Sequence, residues 1–336
     1  MAYIKRFDPA GAPVKIEEGF ARYLDDSVRN PFVLDLKDKP LMEVIDICVG
    51  TKLKAMPRYG ESLGGLVYNL RILERDYKTQ LMPVQITDIF WCYFIDFCKG
   101  RGLRLSSVRT MAHQLKSILT WASRYNCSIA PSYSDVRIDA KHKPSIALSA
   151  DDVSRITYFD VDRFYKDRRA DYLETMRRVR DMFVLSCNLY QRYSDMVRIA
   201  PECFDGKVFK IAQQKTGNMA VVNIDRFSIE PKTTMAILKR YGYRAPYTAT
   251  IGNYNWHLHD LMRDIGLTEP VRVEEKIDGY MVTNTVPRWQ MVSSHTARRT
   301  AITVGVLRGH NIHDLKRCSG HVSTEVFDEY IKDDYT

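Results

Sequence analysis

The chain is short of most features that would place it outside the ordinary intracellular globular classes. It has seven cysteines, an odd number, and none of them form a C-x-x-C pair, which argues against a disulfide framework or a zinc ribbon. It has no run of 18 apolar residues, and its start, MAYIKRFDPAG, lacks a basic-then-apolar leader pattern, so neither secretion nor membrane spanning is expected. A reducing, cytoplasmic setting fits best. No G-x-x-x-x-G-K-[ST] stands anywhere to cradle a nucleotide. His257 with His259, and His310 with His313, lack a companion Cys or carboxylate set, so no metal site is expected. Internal repeats and low-complexity tracts are absent as well.

What is present is a basic, foldable chain. Its 336 residues suit two domains, and 45% hydrophobic content with 17 Gly and 13 Pro allows real cores. Lys and Arg outnumber acids 50 to 41, a net charge of +9 that favours a polyanion such as nucleic acid without requiring one.

Pattern divides the chain further. Residues 1–55 are mixed, with Pro9, Pro13, Pro31 and Pro40 set against any long helix, and read as an arm or small subdomain. Residues 56–140 read as a helical domain. Leu63, Leu66, Val67, Leu70, Ile72 and Leu73 recur at helical spacing, and Ile89, Phe90, Tyr93, Phe94 and Phe97 do so after Pro83. A third helix, 105–124, sets Val108, Met111, Leu115, Ile118, Leu119 and Ala122 on one side and Arg109, His113 and Lys116 on another. With Arg101 and Arg104 before it, that basic face is either a solvated surface or a contact for DNA phosphates. Residues 141–148 read as a linker, and a helix start at Ser149 opens a domain over 149–336. There we expect a helix at 171–189, a β-hairpin at 207–224, a helix at 228–242 and helical structure from 294. The fold class is mainly α with a small antiparallel sheet.

The chemistry-bearing residues lie in that second domain. His295 and Arg298, three apart, share one face of a helix start if Ser293 or Ser294 caps it, where a guanidinium and exposed N–H groups favour a phosphate. Gly320-His321 follows, and Tyr330 stands nine residues beyond His321. Earlier, LYQRYSDMVRI carries Arg192 with Ser194 and Asp195, and FKIAQQKTGNMAVVNI places Lys215 in a turn between two strand-like runs.

These five elements, in this order, resemble the signature of the tyrosine recombinases, the phage and mobile-element integrase family. The resemblance is strong over 149–336 and weaker over 60–135, which is similar to the family's core-binding domain in position and helix pattern; the first 55 residues resemble nothing we can name. It implies a helical core-binding domain and a mixed α/β catalytic domain. It implies that Tyr330 attacks a DNA phosphodiester to give a 3′-phosphotyrosine, that Arg192 and Arg298 hold the non-bridging oxygens, and that Lys215 protonates the leaving 5′ oxygen. His295 is the expected partner of the tyrosine proton or the phosphate, and His321 a second donor. Asp195 is expected to support rather than react, orienting His295 or Arg192, because a carboxylate beside the phosphate would repel it. The resemblance further implies double-stranded DNA as partner, a homotetramer on paired sites, accessory DNA-bending proteins, no cofactor, ATP or metal, and a place on the nucleoid of a prokaryotic host.

Tyr335 fits the spacing less well than Tyr330, and Gly309 of Gly309-His310 reads as a helix cap. Six residues follow Tyr330, fewer than in many family members, which leaves the mode of protomer exchange open. Two other readings stay open: a type IB topoisomerase with the same chemistry, and a regulator of this fold that binds DNA without cutting it.

Overall fold

A computed structural model describes residues 34–53, 59–139, 145–277, 280–328 and 330. The chain divides into two compact units, residues 1–142 and 143–336. Pro9, Pro13 and Pro31 lie outside the described residues, as do 141–144 of the expected linker.

In the first unit, helices α1 (Leu41–Leu53), α2 (Gly64–Tyr77), α3 (Asp88–Gly100) and α4 (Leu105–Ala122) surround one core. Trp91 and Phe94 of α3 and Val108, Leu115, Ile118 and Leu119 of α4 are fully buried in it, as the 3.6-residue spacing of these apolar positions requires. Thr87 caps α3, its hydroxyl accepting from Phe90 N at 3.3 Å.

The expectation of a separate arm over 1–55 fails for α1. Leu41, Val44, Ile45 and Cys48 are fully buried in the same core, and Leu36 N donates to Tyr125 O at 2.9 Å. Pro40 does not break this helix because it stands just ahead of it, where the missing N–H would have no partner in any case; its carbonyl accepts from Val44 N at 3.0 Å.

The second unit opens at α5 (Ala150–Tyr158), where Ser149 Oγ accepts from Asp152 N and Asp152 Oδ2 from Ser149 N, each at 3.0 Å. The core is laid on α6 (Ala170–Leu189), whose Val179, Met182, Phe183, Val184, Leu185 and Cys187 are all fully buried. A helix stretch buried on every side, here residues 181–189 of α6, belongs in an interior, and α10 (Ser294–Leu307), buried from Thr296 to Gly305, packs against α6. Between them in sequence come α7 (Tyr193–Met196), β1 (Phe204–Asp205), β2 (Val208–Ala212), β3 (Met219–Asn223), α8 (Pro231–Arg240) and α9 (Ile251–Ile265). The β1-β2-β3 sheet is antiparallel, with Phe209 opposite Val222 and Ile211 opposite Ala220; these four point inward and their neighbours outward.

A second antiparallel pair, β4 (Pro270–Ile277) and β5 (Tyr280–Pro287), was not expected, although Asp278-Gly279 between two alternating runs is a hairpin signal. The unit closes with α11 (Ile312–Ser319) and α12 (Thr324–Asp328). The fold is thus mainly α with small antiparallel sheets, as expected. Among the described residues no helix is long and apolar enough to cross a membrane.

Candidate active site

Five local structures bring the six expected residues together. α6 ends at Leu189, Tyr190 turns the chain in the left-handed region (φ 63°), and Arg192 then stands immediately before α7. Lys215 sits exposed on the turn between β2 and β3, which Gln213 N closes by donating to Asn218 O at 2.9 Å. His295 and Arg298 occupy the first turn of α10, where Thr296 Oγ1 accepts from Ser293 N at 2.9 Å. α11 ends in Gly320 (φ 68°), which places His321, and a turn past α12 delivers Tyr330.

Tyr330 and His295 are in direct contact: the phenol oxygen lies 2.7 Å from His295 Nε2. The Tyr330 ring is 4.9 Å from the His321 ring, and the guanidinium carbons of Arg298 and Arg299 lie 6.0 and 5.1 Å from its centre. Arg298 is fully buried and donates through Nη1 to Tyr190 O at 3.0 Å and through Nη2 to His321 Nε2 at 2.9 Å.

The network assigns the His321 tautomer. Ser319 Oγ gives its hydrogen to Leu315 O at 2.8 Å and accepts from His321 Nδ1 at 2.8 Å, so His321 Nε2 accepts from Arg298 instead of acting as the second donor that was expected.

Electrostatics follow from crowding cations with few anions. His295 keeps an exposed face, yet burial by the protein around its ring, then the charges of Arg298, Arg192, Arg299 and Lys215, push its pKa down to about 4. Burial and then Arg298 and Arg192 push His321 to about 3. Both imidazoles are therefore neutral at pH 7, as an acceptor of a tyrosine proton must be. Burial, and then Arg192, also lower Arg298 to about 10.

Asp195, fully buried, serves as a brace, but for the hairpin turn rather than for His295 or Arg192. Its Oδ1 accepts from Gln214 N at 2.7 Å, fixing the residue beside Lys215, and its Oδ2 has no hydrogen-bond partner among the described residues. A phenol hydrogen-bonded to a neutral imidazole within a ring of cations is suited to attack on a phosphate ester.

Four residues were missed. Gln191 and Gln213, both buried, link the Arg192 turn to the hairpin, with Gln213 Oε1 accepting from Arg192 Nη1 at 2.9 Å. Ser319 orients His321, and the Arg299 guanidinium lies over the tyrosine ring. Nothing in their spacing singles out the glutamines; Arg299 stood in view beside Arg298.

The expected DNA-contact residues belong to the first unit. Arg101, Arg104 and His113 are exposed, Arg109 is half-buried, and the Arg101 guanidinium lies 5.7 Å from the Tyr68 ring and 5.6 Å from that of Phe97. Lys116 departs from expectation. Its ammonium donates to Ser134 O at 2.8 Å and to Val136 O, and burial lowers its pKa, so it ties the segment after α4 to that helix rather than facing outward. Among the described residues no group of three or more His, Cys, Asp or Glu could hold a metal ion.

No family model matches the sequence, and no curated protein does. Solved structures do match the fold. A lambda integrase tetramer bound to a Holliday junction superposes with a TM-score of 0.59 at 15% identity, over 89% of this chain and 80% of that one. The Tn1549 transposon integrase in complex with a circular intermediate DNA gives 0.59 at 14% identity, over 84% and 93%. The XerH site-specific recombinase bound to a palindromic difH substrate gives 0.53 at 12% identity, over 88% and 82%. With the helical first unit, the β1-β2-β3 sheet and the α6–α10 core, this chain has the tyrosine recombinase and integrase fold.

Proposed function

We propose that this chain is a site-specific DNA recombinase that integrates or excises a phage or mobile element through a phosphotyrosine on Tyr330. The observation that carries the reading is the 2.7 Å contact between the Tyr330 oxygen and His295 Nε2, within a cluster that also holds Arg192, Arg298 and His321.

The tyrosine oxygen attacks phosphorus and its proton passes to His295 Nε2. The bond from phosphorus to the 5′ oxygen breaks, and Lys215 protonates that oxygen as it leaves. Arg192 and Arg298 hold the non-bridging oxygens, and His321 keeps Arg298 Nη2 aimed; one such contact is worth on the order of 10²-fold in rate. The strand is left as a 3′-phosphotyrosine, and a 5′ hydroxyl from a second duplex reverses the step. One phosphodiester is exchanged for another, so the reaction requires neither ATP nor metal.

Four protomers on two duplexes would exchange one pair of strands at a time, a reading supported by the tetrameric junction complex named for lambda integrase. Arg101, Arg104, Arg109 and His113 are proposed to contact the phosphates of the bound duplex, giving an affinity that falls steeply with salt.

The test is incubation with nicked duplexes taken from DNA flanking the gene, followed by a denaturing gel. A covalent adduct that Tyr330→Phe abolishes supports the reading. An adduct surviving that change would assign the wrong tyrosine, binding with no adduct would leave a non-cutting regulator, and relaxation of supercoils by a monomer without strand exchange would point to a topoisomerase.

A further inference from the structure

Gln213 is a buried side chain, 1% exposed, in the middle of the site and takes part in none of the chemical steps above. An amide offers two donor hydrogens and two acceptor lone pairs, and here all four are used. Nε2 donates to Gln191 Oε1 at 2.9 Å and to Ser319 O at 2.7 Å; Oε1 accepts from Arg192 Nη1 at 2.9 Å and from Thr216 Oγ1 at 3.3 Å.

The partners come from three separate elements: the turn after α6 that carries Arg192, the turn that carries Lys215, and the end of α11 that carries Gly320 and His321. Gln191 extends the joint, its Nε2 donating to Leu189 O at 2.6 Å and Cys318 O at 2.9 Å. Gly320 is shaped to it as well, because a Cβ there would lie 2.6, 2.7 and 2.8 Å from the three terminal atoms of Gln213. The α11 end therefore approaches this amide as closely as a residue without a side chain allows.

We infer that Gln213 is the positioning residue that aims the Arg192 guanidinium at the scissile phosphate and sets its distance from Lys215 and His321. The inference rests on the recombinase reading. The argument is one of constraint. Arg192 is half-buried and, among the described residues, its side chain makes one hydrogen bond, to Gln213; a long, four-bond side chain held at one nitrogen by a fully satisfied, buried amide keeps its remaining N–H groups directed without neutralising its charge. A carboxylate in the same place would pair with Arg192 and compete with the phosphate.

The experiment is single-turnover cleavage of a nicked duplex carrying either the normal scissile phosphodiester or a methylphosphonate there, in which an uncharged methyl replaces one non-bridging oxygen. Wild type is compared with Gln213→Met, which keeps the length and removes all four hydrogen bonds. Cleavage of the phosphodiester by the variant is expected to fall about 10²-fold, as for loss of a preorganised phosphate contact. On the methylphosphonate, where less charge requires Arg192, the defect is expected to shrink to a few-fold.

A second arm repeats the substitution in the Arg192→Ala background, where it is expected to have little further effect. If Gln213→Met does not melt cooperatively, Gln213→Asn is read in the same way, since it keeps a polar amide in the cavity but withdraws it from Arg192. An equal defect on both substrates, or one that persists without Arg192, would make Gln213 merely structural and overturn the inference. A wild-type adduct with undiminished cleavage by the variant overturns it alone, whereas no wild-type adduct on any cognate duplex overturns the recombinase reading and this role together.

Discussion

Replacing Arg298 by methionine is expected to abolish cleavage while leaving the catalytic unit as stable as before, or more so. Arg298 is fully buried, and burial followed by the neighbouring Arg192 charge holds its pKa at about 10. That is roughly 2.5 pH units below the arginine range, and at about 1.4 kcal/mol per unit the charged form costs the folded state about 3 kcal/mol. The folded protein binds this proton less tightly than the unfolded chain does, so the cost is present in full at every pH below about 10 and is relieved only above it. Methionine fills the stem volume without the charge. Against the gain stands the lost donor to Tyr190 O, a buried carbonyl whose loss of its partner costs about 1–3 kcal/mol; His321 Nε2, on a half-buried ring, can turn to water. The net is a gain of about 0–2 kcal/mol, which for a unit of this size is a rise in Tm of about 0–8 °C. Thermal melts of wild type and Arg298→Met at pH 7, without DNA, measure it. A fall of more than about 5 °C would refute the reasoning, because it would mean Arg298 stabilises the fold as one half of a satisfied buried ion pair does. A cognate duplex is expected to raise the Tm of the wild type by more than that of the variant, since only the wild type has the buried cation for the phosphate to neutralise.

Three more outcomes follow from the same geometry. Gly320→Ala forces a left-handed alanine, about 1–2 kcal/mol, and drives a Cβ to 2.6 Å from the Gln213 amide, about 1–3 kcal/mol more; melts should show both, and only the first in a Gln213→Ala background. Arg299→Met removes the cation 5.1 Å from the Tyr330 ring, so single-turnover cleavage at pH 7 is expected to fall about tenfold; an unchanged rate would deny Arg299 a part in the step. His295 and His321, held at about 4 and 3, bind protons less readily folded than unfolded, so their contribution to stability is complete above about pH 6.5 and is lost as pH falls toward 4; melts between pH 7 and 4 should show the loss, and His295→Gln with His321→Gln should flatten it.

How much of this was legible in the sequence depended on whether a residue announces its chemistry. Arg192, Lys215, His295, Arg298, His321 and Tyr330 carry reactive or charged groups at ordered spacings, and the fold gathers the rest of them around the Tyr330–His295 contact. Gln191 and Gln213 are neutral amides 22 residues apart, and only their tertiary meeting makes them a joint. Lys116 lay on the polar face of an amphipathic helix, as periodicity said, but periodicity has no term for the 134–136 segment that folds back over it. Pro40 was read as a breaker because composition does not distinguish a proline inside a helix from one just before it. The hairpin of β4 and β5 has a sequence signal of its own, Val271 and Val273 alternating with charged neighbours ahead of Asp278-Gly279.

The choice of an amide at 213 follows from what the site must avoid. Arg192, Arg298, Arg299 and Lys215 converge, and among the described residues Asp195 directs its Oδ1 to a backbone N–H rather than to these cations. A glutamate at 213 could still accept from Arg192 and Thr216, but its second oxygen would face two further acceptors, Gln191 Oε1 and Ser319 O, and its charge would satisfy the guanidinium. A leucine would leave all four partners buried and unpaired. Only a neutral group that donates on one side and accepts on the other can join the three turns and still leave the positive charge whole for an incoming phosphate. Among the described residues Arg298 Nε and Asp195 Oδ2 are buried without hydrogen-bond partners, a cost that the proposed phosphate binding would offset.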